Sequence, residues 1–254
     1  MEETKISSGS FDLDSFLSGG YEKDIITTIY GPAGSGKTNL CMLSATTQAK
    51  KGNKVIFIDT EGGFSIDRFK QLAGENYKES IKNIILLKPT SFGEQKKSFE
   101  TLLKEIKENS NIKLIVIDGM TMLYRLEIGD EKLSVDKNDN SQDINIELNI
   151  KKINRDLATQ MRTLSEIARN KLIPVIVTNQ IYYSFLSEED FYSGKERTAN
   201  LVGGDILKYW SKCLLELKND DGKRKAILKK HRSLPEKELA FTIDNQGIKK
   251  KGFF

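Results

Sequence analysis

Residues 31–38 read Gly31-Pro32-Ala33-Gly34-Ser35-Gly36-Lys37-Thr38. Glycines at this spacing let a chain fold back so that successive backbone N–H groups point inward, a nest for phosphate oxygens. The closing pair supplies a cation, Lys37, for the β- and γ-phosphates and a hydroxyl, Thr38, for Mg²⁺. An apolar run, Ile25–Tyr30, precedes the loop, and a helix-compatible stretch, Asn39–Lys50, follows it. A helix beginning near Lys37 adds its positive dipole end to the nest and brings Asn39 beside it. Strand, glycine loop, Lys-Thr and helix together are the context in which such a loop binds a nucleoside triphosphate.

Three other segments end in residues suited to that chemistry. Leu114-Ile115-Val116-Ile117-Asp118 is an apolar strand closed by a carboxylate. Behind a phosphate loop such an Asp sits next to Thr38 and steadies Mg²⁺, whereas elsewhere a strand-terminal Asp caps a helix. Phe57-Ile58-Asp59-Thr60-Glu61-Gly62-Gly63 places Glu61 at the carboxyl end of a neighbouring strand. There it either activates a water or is an ordinary solvated loop residue. Val175-Ile176-Val177-Thr178-Asn179-Gln180 ends in an amide that either meets a γ-phosphate or satisfies local backbone. Lys37, Glu61 and Gln180 are therefore the candidate catalytic groups, and Thr38 and Asp118 the candidate Mg²⁺ ligands.

The elements that must carry these groups alternate. Short Ile/Val runs at 25–30, 55–59, 84–87, 114–118 and 175–178 have the unbroken apolar character of strands covered on both faces. Between them lie helical stripes. Phe99, Leu102, Leu103 and Ile106 form one, and Ile146, Ile150, Ile153, Leu157, Met161, Leu164 and Ala168 a longer one that must end before Pro174. This alternation predicts an α/β fold with a mostly parallel central sheet flanked by helices. From about residue 211 the pattern changes to hairpins. Turns at Asn219–Gly222 and Asn245–Gly247 predict antiparallel strands at one sheet edge. Two stretches, 125–143 and 181–202, read as long irregular loops.

The 254 residues fit a single ATPase-core domain spanning 1–254. No run approaches the roughly 20 apolar residues of a membrane helix, and no signal peptide is visible, so a cytoplasmic protein is expected. Cys41 and Cys213 are too few for a disulfide framework, and one histidine, His231, precludes a Cys/His zinc site. His231 reads as a surface residue. The net charge of +4 is no global nucleic-acid signal, but Gly222–Arg232 carries six Lys or Arg and no acid. Lys223, Arg224, Lys225, Lys229, Lys230 and Arg232 fit three roles: phosphate contact with DNA, a solvated edge guarded by cations, or a charge supplied to a neighbouring subunit's γ-phosphate. Tyr182 and Tyr183, with Lys195 and Arg197, place aromatics beside cations, either to stack on single-stranded bases or as a small core pinning the loop. The stretch 125–143 is acidic, a poor contact for phosphates.

Taken together and in this order, these segments resemble the RecA/RadA recombinase family. Ser8-Gly9-Ser10-Phe11-Asp12-Leu13-Asp14, Asp59-Thr60-Glu61-Gly62 with Phe64 and Arg68, Leu201-Val202-Gly203-Gly204, Leu234-Pro235-Glu236 and Phe241-Thr242-Ile243 are similar to that family's motifs, from Lys5 to the C-terminus. The resemblance implies a RecA-like P-loop NTPase core with ATP and Mg²⁺ as cofactors. It makes Glu61 the catalytic carboxylate and Arg68 a guanidinium stacked on adenine. It also makes 125–143 and 181–202 the loops facing DNA. An N-terminal helical domain and polymerisation motif are not expected, which points to the short archaeal paralogues of the family. These imply a recombination accessory factor that binds ATP and single-stranded or branched DNA, hydrolyses ATP weakly, and works with a RadA-type recombinase and a Holliday-junction resolvase. A homo-oligomer is compatible with this. The alternatives are a filament-forming strand-exchange recombinase and a nucleotide-gated interaction protein with no DNA role.

Overall fold

The computed structural model describes residues 4–133, 140–183 and 199–252. Strands β1 (Lys5–Ile6) and β2 (Tyr21–Glu22) pair antiparallel around α1 (Phe11–Phe16). The glycine loop joins β3 (Ile26–Gly31) to α2 (Lys37–Lys50). Next come β4 (Lys54–Asp59), α3 (Ile66–Ala73), α4 (Tyr77–Ser80), β5 (Ile84–Leu87), α5 (Phe92–Glu108) and β6 (Ile112–Asp118). Then follow α6 (Met122–Leu133), α7 (Asn140–Lys171), β7 (Val175–Tyr183), β8 (Ala199–Leu201) and α8 (Gly204–Trp210). Strands β9 (Cys213–Asp220), β10 (Lys223–Lys230), β11 (Lys237–Asp244) and β12 (Gly247–Lys250) complete the described chain.

The main sheet runs β12-β11-β10-β9-β3-β7-β6-β4-β5, with β8 added antiparallel to β7. From β9 to β5 all neighbours are parallel; β10, β11 and β12 continue one edge antiparallel. Strand alternation divides the apolar residues between two faces. Val55, Phe57, Leu114 and Val116 point with Ile29 into a layer under α1, α2 and α3. Ile56, Ile58, Ile115, Ile117 and Ile26 point the other way, into a layer with Phe99 and Leu102 of α5 and Leu157, Met161 and Leu164 of α7. This is why the strand sequences are apolar throughout.

Two sequence expectations need correction. The stretch 125–143 is largely helical: α6 reaches Leu133, and α7 begins at Asn140. Leu123, just before that stretch, is buried, Ile128 packs against the same layer as α7, and these contacts outweigh the poor helix propensity of Gly129 and Asp130 that follow. The stretch 181–202 is shorter as a loop, because β7 continues to Tyr183 and β8 returns beside it. In the helix α5, Leu103 is 40% exposed and off the packed stripe of Phe99 and Leu102.

Candidate nucleotide site

Parallel strands deliver their carboxyl ends to one rim of the sheet, where α/β folds hold ligands. Register brings the candidate groups together there: Asp59 pairs with Asp118, and Gly31 with Gln180. The glycine loop lies between two hairpins of the C-terminal edge. Asn219 Nδ2 donates to Gly34 O (3.3 Å). The φ of Gly36 is +108°, so the backbone there favours glycine, and an added Cβ would also press on the movable Ile243 Cδ1 at 2.9 Å.

Gly36 is the N-cap of α2 and makes no side-chain capping bond, which leaves the first-turn N–H groups for an anion. Lys37 is buried, and its Nζ donates to Gly31 O (3.1 Å) and Pro32 O (3.0 Å). Burial pushes its pKa below the usual lysine value, while the carboxylates of Glu61 and Asp118 pull it back up. The Ser35 hydroxyl is buried inside the loop without a hydrogen-bond partner.

Asp118 is fully buried. Its Oδ1 accepts a bond from Thr178 Oγ1 (2.6 Å), which in turn accepts from Gly119 N (2.7 Å). Its Oδ2 has no partner. A Cβ placed on Gly63 would come 3.2 Å from Thr38 Oγ1 and 3.4 Å from Asp118 Oδ2, so these two oxygens flank one small space. Burial raises the Asp118 pKa, the hydroxyls of Thr178 and Thr38 lower it, and Glu61 and Asp59 raise it again. An unpaired buried carboxylate oxygen opposite a hydroxyl is costly unless a cation or water completes it. The donor set of hard oxygens suits Mg²⁺.

The loop carrying Glu61 is shaped by Asp59, whose two oxygens accept from Gly63 N (3.0 Å) and Phe64 N (2.9 Å). Thr60 Oγ1 ties it to Gly119 O (2.7 Å). Glu61 Oε2 accepts from Gln180 Nε2 (3.1 Å), and both line a pocket with Thr121, Met122, Arg125 and Asn179. Thr121 and Asn179 are hydrogen-bonded to each other, and Asn179 Nδ2 donates to Val202 O (2.7 Å). Beside the loop, Arg68 Nε donates to Asn39 Oδ1 (2.9 Å) and its NH1 group to Gln71 Oε1 (2.9 Å). The NH2 nitrogen is buried without a partner.

Sequence reasoning gave no role to Asp59, Thr60, Thr121, Thr178 or Asn179, although all are buried polar residues: Asp59 ends β4 and Thr60 follows it, Thr178 and Asn179 lie within β7, and Thr121 directly precedes α6. The available signal was a polar run closing each of three apolar strands. It did not say which member faces a ligand and which braces its neighbour.

The basic segment is placed differently from the phosphate loop. Arg232 makes a two-pronged bond to Asp24 (2.6 Å and 2.6 Å), and its Nε approaches Glu22 Oε2 at 2.7 Å. Lys230 Nζ donates to Lys208 O (2.8 Å) and Ser211 O (2.9 Å). Lys229 is paired with Glu236, and Lys225 with Glu238 (3.2 Å). Lys223 is exposed on the same strand, beside the half-buried Arg224. His231 is not a surface group: its side chain is 2% exposed, with Nε2 3.8 Å from Glu22 Oε1. The topology covers it by laying the end of β10 against β2, an arrangement no local pattern reveals. Lys195 and Arg197 lie outside the described residues, as do the side chains of Tyr182 and Tyr183.

A family model described as Rad51 matches residues 1–251. The "DNA repair and recombination protein RadB" of Methanobrevibacter smithii is 41% identical over 240 residues, 93% of this chain and 92% of that protein. The protein of the same name from Methanocaldococcus jannaschii is 40% identical over 93% of this chain and 98% of its own length. A solved structure titled "Crystal structure of the RadB recombinase" superposes with a TM-score of 0.70 at 32% identity, covering 97% of this chain and 99% of that one.

Proposed function

The chain belongs to the Rad51 family, and from that premise we propose that it is an ATP-dependent accessory factor of DNA repair and recombination, built as one ATPase-core unit. The observation that carries the nucleotide reading is the buried, unpartnered Asp118 Oδ2 facing Thr38 at the head of an uncapped helix. In this reading residues 31–39 hold the triphosphate, Lys37 leaves the carbonyls of Gly31 and Pro32 to meet it, and Thr38 and Asp118 hold Mg²⁺. The metal supplies neutralisation of the charge on the β- and γ-phosphate oxygens. Arg68, with its free NH2 nitrogen beside Asn39, takes the adenine.

Glu61 serves as the base that orients and deprotonates a water. Its bond to Gln180 couples that carboxylate to β7 and the segment beyond it. ATP then acts mainly as a conformational ligand, with slow hydrolysis. Single-stranded or branched DNA is the partner, alongside a RadA-type recombinase and a junction resolvase. Lys225, Lys229 and Arg232 pair with carboxylates and Lys230 with two carbonyls, which leaves Lys223 and Arg224 as the basic-segment residues with neither partner among the described contacts. The relatives' name, "DNA repair and recombination protein RadB", supports the repair role. A cytoplasmic location is consistent with this reading, and no helix among the described residues is long and apolar enough to cross a membrane.

The test is steady-state ATP turnover with and without single-stranded DNA. Slow turnover, little changed by DNA and lost in Lys37→Ala, supports the proposal. Strong DNA stimulation with long regular filaments in the electron microscope would replace it with a strand-exchange recombinase.

A further inference from the structure

At the other end of the sheet, α8 ends in an exposed aromatic set between two lysines. Tyr209 is 71% exposed. Trp210 stands edge-on to it, with ring centres 5.2 Å apart at 88°. Lys212 Nζ lies 6.0 Å from the Tyr209 ring centre, and Lys208, the residue before Tyr209, is exposed. Among the described residues neither lysine has a carboxylate partner within an ion pair.

We propose that this face is a stacking platform for single-stranded nucleic acid, with Tyr209 under a base and Lys208 and Lys212 on the flanking phosphates. The inference rests on the DNA-binding reading above and assigns that binding a surface. Its chemistry is that of single-strand recognition: an aromatic face tolerant of any base, beside cations that follow the backbone.

The platform is rigid, which lowers the cost of ordering it. Leu207 is fully buried and Trp210 packs on the core. Ser211 Oγ is hydrogen-bonded to Thr28 Oγ1 (2.6 Å), and Lys212 N to Ile26 O (3.2 Å). Lys230 donates to the carbonyls of Lys208 and Ser211, so the negative end of the short helix is covered by a cation. The nearby acids Glu22 and Asp24 are taken up by Arg232, which leaves Asp205, one turn back on α8, as the acid on the same helix.

Trp210 is the only tryptophan, so its emission reports the site directly. Oligo(dT) titrated onto the full chain is expected to change that emission. Tyr209→Ala is expected to weaken oligo(dT) about tenfold or more, the range for one stacked base, and Tyr209→Phe to restore it. An abasic strand of equal length should bind wild type and Tyr209→Ala alike. Lys208→Ala with Lys212→Ala should lower the salt slope by about 1.4, or about 0.7 for each single-strand phosphate no longer neutralised. Because Tyr209 is exposed, the variants' melting temperatures check that folding is intact. Tyr209→Ala binding oligo(dT) as wild type does would overturn the platform alone and leave the face to a protein partner. Wild type binding no DNA would overturn both the platform and the DNA reading it rests on.

Discussion

Asp118 carries the sharpest consequences of any single residue. Its buried carboxylate has one oxygen held by Thr178 and one held by nothing. Asp118→Asn removes a desolvated charge, so the unliganded protein should melt at the same temperature or higher. The same variant should lose the stabilisation given by Mg²⁺·ATP, about 2.7 kcal/mol at a hundredfold excess over Kd; differential scanning fluorimetry reads both. Glu61→Gln keeps the shape and the reach to Gln180 but removes the proposed base. Turnover should fall about a hundredfold or more while ATP affinity stays near wild type. His231 gives a pH signature. Burial lowers its pKa, against the pull of Glu22 and with Lys5, Arg232 and Lys237 adding to the fall. The unfolded chain then takes up the proton first. Stability is expected to decline as pH drops through about 6.5, and His231→Gln should flatten that part of the melting profile.

Among the elements, the loop-to-α2 junction is the least tolerant. Gly36 sits at φ +108° with Ile243 against its α-carbon. Gly36→Ala should cost about 1–3 kcal/mol in denaturant unfolding from backbone strain, with Ile243→Ala relieving only the contact. Much of this architecture could be read in advance, because parallel strands buried on both faces write themselves as apolar runs and α7 as a three-four stripe. The helix α6 could not, since its acidic residues and Gly129 mask a short apolar face that shows itself only against α7 and the sheet. Nor could the role of Arg232. Its partner Asp24 lies 208 residues away, and only the order of strands brings the two together. The phosphate loop was readable because its chemistry is local. Thr178 was not, because it acts on Asp118 of another strand; Asp59 acts within its own loop, but its type alone does not separate a loop brace from a ligand group.

On the scale of the whole molecule, the sheet separates two kinds of surface. One rim gathers the phosphate loop, Asp118, Glu61 and Gln180; the opposite end carries Tyr209, Lys208 and Lys212. In the proposed reading, bound nucleotide acts on β7 through the Glu61–Gln180 bond, the coupling that an ATP-gated role requires. All of this depends on triphosphate being held by the loop at the end of β3. Isothermal titration calorimetry of the full chain with ATP and Mg²⁺ tests it most directly, with Lys37→Ala alongside. Saturable one-to-one uptake that weakens strongly in Lys37→Ala and in the absence of Mg²⁺ is the expected result. No heat of binding from the wild-type protein, or equal binding by Lys37→Ala, would contradict it.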